Sequence, residues 1–136
     1  MSVADLLKQN FFEGGPFFMT LHYFIWILVI FFTIRVIKTF RSKKRDFKKL
    51  EKFNATILFI GGSGLMFSLF YRAMGMYNAF SVLEVTNDVS LTLLASGFKA
   101  SLIAPLYSLF LFMVTSIIWF INRTKIRAEI PFEVDL

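Results

Sequence analysis

Apolar positions dominate three long stretches of this chain, and most polar positions fall between them. The first stretch covers about residues 17–37, the second about 55–80 and the third about 96–121. A bilayer core of ~30 Å needs roughly 20 helical residues to cross it, so each stretch is long enough. The second and third exceed that length and are expected to tilt or to protrude into the headgroups. The pattern predicts an all-α integral membrane protein: a single membrane domain over residues 1–136 with three transmembrane helices. A basic loop is expected at 38–54 and an outer loop at 81–95.

Composition agrees with this reading. Hydrophobic residues make up 57% of the chain, 19 positions are Phe, and mean hydropathy is +0.66. A soluble domain of this size needs a polar exterior that such a composition does not supply. The first span is too long for the apolar region of a cleaved signal peptide, and the segment before it carries Asp5 and Glu13 with only Lys8. There is no cysteine, which excludes disulfides, thiolate nucleophiles and Cys-based metal sites. With His22 as the single histidine, a multi-His metal site or a Ser–His triad is hard to build within one chain.

The net charge of +6 is unevenly placed. Lys38, Arg41, Lys43, Lys44, Arg45, Lys48, Lys49 and Lys52 crowd the first loop, against only Asp46 and Glu51. Lys and Arg collect on the cytoplasmic side of membrane proteins. The tail after the third span adds Arg123, Lys125 and Arg127, whereas residues 81–94 hold Glu84 and Asp88 and no cation. The expected topology therefore has the N-terminus outside, the basic loop inside, the next loop outside and the C-terminus cytoplasmic. A basic cluster beside an apolar span also fits anionic lipid, here at Lys43, Lys44, Arg45, Lys48 and Lys49. No nucleic-acid partner is expected, because no binding module accompanies the charge.

The soluble parts are small. Phe40, Phe47, Leu50 and Phe53 interleave with charge in the basic loop, as in a helix that leaves the first span along the membrane surface. Gly14-Gly15-Pro16 punctuates the entry to the first span. The end, residues 130–136, reads as a short tail that frays.

Within the second span, Gly61, Gly64, Ser68, Gly75 and Ala79 recur at spacings of one helical face. Small residues on one face let helices approach closely. The third span carries a matching stripe of Gly97, Ser101, Ala104, Ser108, Thr115 and Asn122. The first span is almost wholly apolar and is expected to face lipid while the other two face an interior. Three helices enclose little space, so a ring of copies would be needed to bury both stripes.

Arg72 falls on the stripe of the second span, between Ser68 and Gly75. An ionisable residue inside a span is costly and by default functional. Two readings stay open. The side chain lies roughly 26 Å along a helix that starts at Ala55, and there it can snorkel to the outer headgroups between Tyr71 and Tyr77. Alternatively it faces inward and pairs with an acid on a partner helix. Lys99 reads as a snorkelling residue, Pro105 as a kink that frees a carbonyl near Ser101, and His22 as part of an aromatic belt with Tyr23 and Trp26.

The segment Gly64 to Phe80, with Leu69, Gly75, Met76 and Phe80 in register, resembles the second of these spans in the MotA/TolQ/ExbB family of ion-driven motor subunits. Gly97-Phe98-Lys99-Ala100-Ser101-Leu102-Ile103-Ala104-Pro105-Leu106-Tyr107-Ser108-Leu109 resembles the family's third span. Phe12-Glu13-Gly14-Gly15-Pro16 is similar to the Gly-Gly segment before its first span. The resemblance covers most of the chain through small-residue patterns. It implies a pentameric ring in the bacterial inner membrane around the single helices of an ExbD/TolR/MotB-like partner whose acidic residue takes part in proton flow. The chain also departs from the family. Arg72 and Pro105 stand where threonines are expected, Ala100 stands where some members carry an acid, and the large cytoplasmic region is reduced to a short basic loop.

The leading expectation is a ring-forming subunit that couples proton-motive force to envelope work. Ser68, Arg72, Gly75, Ala79, Ser101, Ala104, Pro105, Ser108 and Thr115 are its candidate pore-lining or partner-contacting residues. The alternatives are a non-conducting scaffold or accessory subunit, and a small anion channel using Arg72 and Lys99. No enzyme, cofactor or metal is expected, since no nucleophile–base pair or metal constellation is present.

Overall fold

The computed structural model describes residues 2–43, 46–86 and 90–129. Lys44, Arg45, Asp88 and the tail 130–136 lie outside them. Four helices follow one another: α1 Val3–Glu13, α2 Pro16–Arg41, α3 Phe47–Thr86 and α4 Leu91–Glu129. Among the described residues there is no strand. α2, α3 and α4 are each long and apolar enough to cross a membrane.

The helices outrun the apolar stretches that predict them. α3 is 40 residues long and α4 is 39, roughly 60 Å each at 1.5 Å per residue. Both exceed a ~30 Å hydrocarbon core. The reason lies in the flanks, where Lys48, Lys49, Glu51 and Lys52 before the second span and Arg123, Lys125 and Arg127 after the third are good helix formers with no Gly or Pro among them. The expected basic loop is consequently mostly helix, because α2 continues to Arg41 and α3 begins at Phe47. Its apolar residues turn inward. Leu50 is fully buried, and Phe40, Phe47 and Phe53 pack on the cluster of Val29, Val36, Ile57, Leu111 and Ile126. They close a helical hairpin, where a helix lying along the membrane surface was expected.

Consecutive long helices run antiparallel. Phe18 of α2 stacks on Phe67 and Tyr71 of α3 with ring centroids 6.4 and 6.0 Å apart, while Phe32 meets Phe53 at the other end. The α3–α4 contact is the most extensive, and α2 packs chiefly on α3. α2 does not face lipid alone. It buries Phe18, Met19, His22, Val29 and Val36 and leaves Phe17, Phe24, Ile27 and Ile30 exposed. An all-apolar helix conceals which face will pack, since both faces look alike in sequence.

α1 is an element beyond the three expected. Ser2 caps it: the Asp5 amide donates to Ser2 Oγ at 3.3 Å, and the Ser2 amide donates to Asp5 Oδ2 at 3.1 Å. This is the reciprocal arrangement of a capping box. α1 touches α2 and α4 but buries none of its own residues. Phe11 packs beside Phe18, Met19 and Ala104, and Asn10 Nδ2 donates to the Tyr107 hydroxyl at 3.0 Å. Gly15, at φ 90°, makes the elbow into α2, and Pro16 takes the first helical position where a missing N–H costs nothing.

Candidate functional site

The small-residue stripes meet within one chain. A Cβ on Gly61 would lie 2.8 Å from Thr115 Cβ, and one on Gly64 would lie 3.7 Å from Leu111 and 3.3 Å from Ile25. Glycine is what allows α3 and α4 to come so close here. Ser68, Ala104, Ser108 and Thr115 are all fully buried. The Thr115 hydroxyl donates back to the Phe112 carbonyl at 2.9 Å. These four candidates belong to the chain's own interhelical packing, Ala104 against Phe18 and Met19 of α2.

The remaining candidates lie toward the α1 end, where the two helices part. Gly75 and Ala79 on α3 are exposed, and a Cβ on Gly75 or Gly97 would meet nothing within 4 Å. Between the diverging ends lies a cleft of about 760 Å³, lined by Arg72, Gly75, Met76, Ala79, Gly97, Ala100, Ser101 and a set of Leu and Phe side chains. Pro105 is half-buried inside α4 at the foot of this region. Its ring removes the bond to the Ser101 carbonyl, while the Ser101 hydroxyl donates to Phe98 at 2.7 Å. The structure therefore divides the nine candidates. Arg72, Gly75, Ala79 and Ser101 line the cleft, Pro105 sits at its foot, and Ser68, Ala104, Ser108 and Thr115 lie in the interhelical packing.

Among the described residues, Arg72 is the only charged side chain of the cleft. It is half-buried and donates from a terminal nitrogen to the Gly14 carbonyl at the α1–α2 elbow. Its guanidinium carbon stands 5.7 Å from the Tyr71 ring centre. Nε is buried without a partner, and no carboxylate reaches the group among the described residues. A Cβ on Gly15 would lie 3.9 Å from the guanidinium, in ordinary contact, so it is the φ of 90° and not space that favours glycine beside Arg72. Tyr71 and Tyr77 are both exposed, at 36% and 73%. Arg72 can thus tie an elbow with one face and offer positive charge to an apolar cleft with the other.

At the opposite end the hairpin brings Lys43, Lys48 and Lys49 to the surface, with Lys49 3.7 Å from Asp46. Arg123 of α4 lies over Trp119 at 4.8 Å.

His22, which the sequence placed in an aromatic belt, and Asn54, which it did not single out, are polar side chains inside the bundle. His22 is buried and accepts a 3.0 Å hydrogen bond from the Trp26 indole. Asn54 is buried and donates to the Trp119 carbonyl at 3.0 Å. The available signal was periodicity: His22, Val29 and Val36 follow at steps of seven along α2. Comparison of the chain with protein-family models, with characterised proteins and with solved structures gives no match.

Proposed function

We propose that this chain is a ring-forming subunit of a bacterial inner-membrane complex of the MotA/TolQ/ExbB kind, holding a single-span partner helix in work linked to the proton-motive force. The observation that carries this reading is the open cleft above the α3–α4 contact. It has the small residues a docking helix needs at Gly75, Ala79 and Gly97, and, among the described residues, a single uncompensated cation at Arg72. An acidic residue on the partner helix supplies the missing counter-charge, which is the condition for burying such a group. The N-terminus lies outside and the basic hairpin and C-terminus lie in the cytoplasm, where Lys43, Lys48 and Lys49 meet anionic lipid.

A second reading has its own observation. Ser68, Ser108 and Thr115 are fully buried inside the bundle, so these hydroxyls are withdrawn from an axial path. That favours a scaffold that grips a partner and moves no ion. The two readings share the ring and differ in flux. Imaging of the complex purified from its native membrane tests the ring, with several copies around a central partner helix expected and a lone chain contradicting it. Proton flux in liposomes holding the whole complex separates motor from scaffold.

A further inference from the structure

We propose that His22, Ser68 and Ser108 form an internal water site inside the membrane-spanning bundle, with His22 Nδ1–H as the donor to that water. Three helices meet where Gly64 of α3 faces both Ile25 of α2 and Leu111 of α4. One turn toward the α1 end, helical spacing of three or four residues brings His22, Ser68 and Ser108 to the next layer. The side chains agree with this register. The His22 ring meets the Tyr107 ring edge-on at 5.9 Å, and Phe18, stacked on His22, also stacks on Phe67 beside Ser68. All three residues are buried, His22 at 1% and both serines at 0% exposure.

Each of the three leaves a polar atom without a partner: His22 Nδ1, Ser68 Oγ and Ser108 Oγ. The bond from Trp26 decides what His22 offers. An indole N–H only donates, so His22 Nε2 must accept. The neutral ring then carries its proton on Nδ1, and that N–H points into the interior with no protein acceptor among the described residues. Serine hydroxyls accept as well as donate. One donor and two hydroxyls in one layer are what a buried water joins, since such waters typically make about three hydrogen bonds to otherwise unsatisfied groups. Nothing apolar satisfies these atoms, and buried polar groups in folded proteins are paired with protein or water. The site lies one turn from Arg72, so it places water inward of the cleft.

The full chain in lipid nanodiscs, carrying ¹⁵N-histidine and a histidine-free affinity tag, gives one imidazole to observe by NMR, because His22 is the only histidine. The expected spectrum has a proton on Nδ1, none on Nε2, and magnetisation transfer from water to the Nδ1 proton. The double variant Ser68→Ala/Ser108→Ala is expected to keep the tautomer and lose the water transfer. A proton on Nε2, a dry Nδ1–H in the unaltered chain, or undiminished transfer in the double variant each overturns the proposal. The first two outcomes are read on the unaltered chain and stand whether or not the variant folds.

Discussion

Arg72 donates to the Gly14 carbonyl at the α1–α2 elbow and lines the cleft between α3 and α4. A charge in an apolar run announces itself, because an unpaired cation in hydrocarbon is costly. Its acceptor does not: the Gly14 carbonyl is a backbone group 58 residues away and has no sequence signature. The two contacts predict a split outcome for Arg72→Ala. The fold should lose about 1.5 kcal/mol, the low end of the range for a hydrogen bond to a charged group, because this one is only half-buried. Capture of an acidic single-span partner helix should weaken by at least about tenfold, or ~1.4 kcal/mol. Thermal melting of the chain and co-purification of the partner measure the two effects separately. Lowered melting with undiminished capture of the partner would mean that Arg72 acts only on the elbow. Arg72→Lys is not a safe control, since an ammonium lacks the second nitrogen needed to hold Gly14 and a carboxylate together.

At the level of elements, the same residue type serves opposite ends. Gly61→Ala drives a methyl group into Thr115 in the tightest part of the α3–α4 contact. Overpacking of this kind costs about 1–3 kcal/mol, which a lowered melting temperature in detergent would register. Gly75→Ala meets open space in mid-helix and should not lower melting, since Ala is the better helix former there. Under the proposed function it should instead reduce partner binding, because its face lines the cleft. The stripe itself was legible as a 3.6-residue period, but its partner was not, because periodicity gives a face and not what covers it. The three spans were legible for the same reason that α1 was missed: long apolar runs dominate any reading of this chain, and a short capped amphipathic turn is quiet beside them. The signal for α1 was Ser2 followed three residues later by Asp5. The Ser2 hydroxyl and amide hold the Asp5 carboxyl below its usual range. A group whose folded pKa is depressed contributes fully above its unfolded value and loses that contribution as pH falls through the folded one. The first turn of α1 should therefore be protected from amide exchange at neutral pH. It should fray as pH drops below about 3.9, the ordinary aspartate value, and Asp5→Asn should abolish that pH dependence.

The whole molecule is a lever for topology, because its two ends differ in chemistry. Helix packing gathers the cations of three segments at one end: Lys38 and Arg41 close α2, Lys48, Lys49 and Lys52 open α3, and Arg123, Lys125 and Arg127 close α4. Their sum is stronger than the loop charge alone, since α4 returns its cations to the end where the hairpin already lies. At the other end Asp5, Glu13 and Glu84 offset Lys8, Arg72 and Lys99. An asymmetry of this kind orients a membrane protein with its basic end in the cytoplasm. The chain has no cysteine, so single substitutions can report side without background. Ser42 and Ser90 are both exposed and flank α3 at opposite ends. On intact cells a membrane-impermeant thiol reagent should modify Ser90→Cys and leave Ser42→Cys untouched until the membrane is opened. The reverse pattern would place the basic hairpin outside. It would also move Arg72 and its cleft to the cytoplasmic half of the membrane.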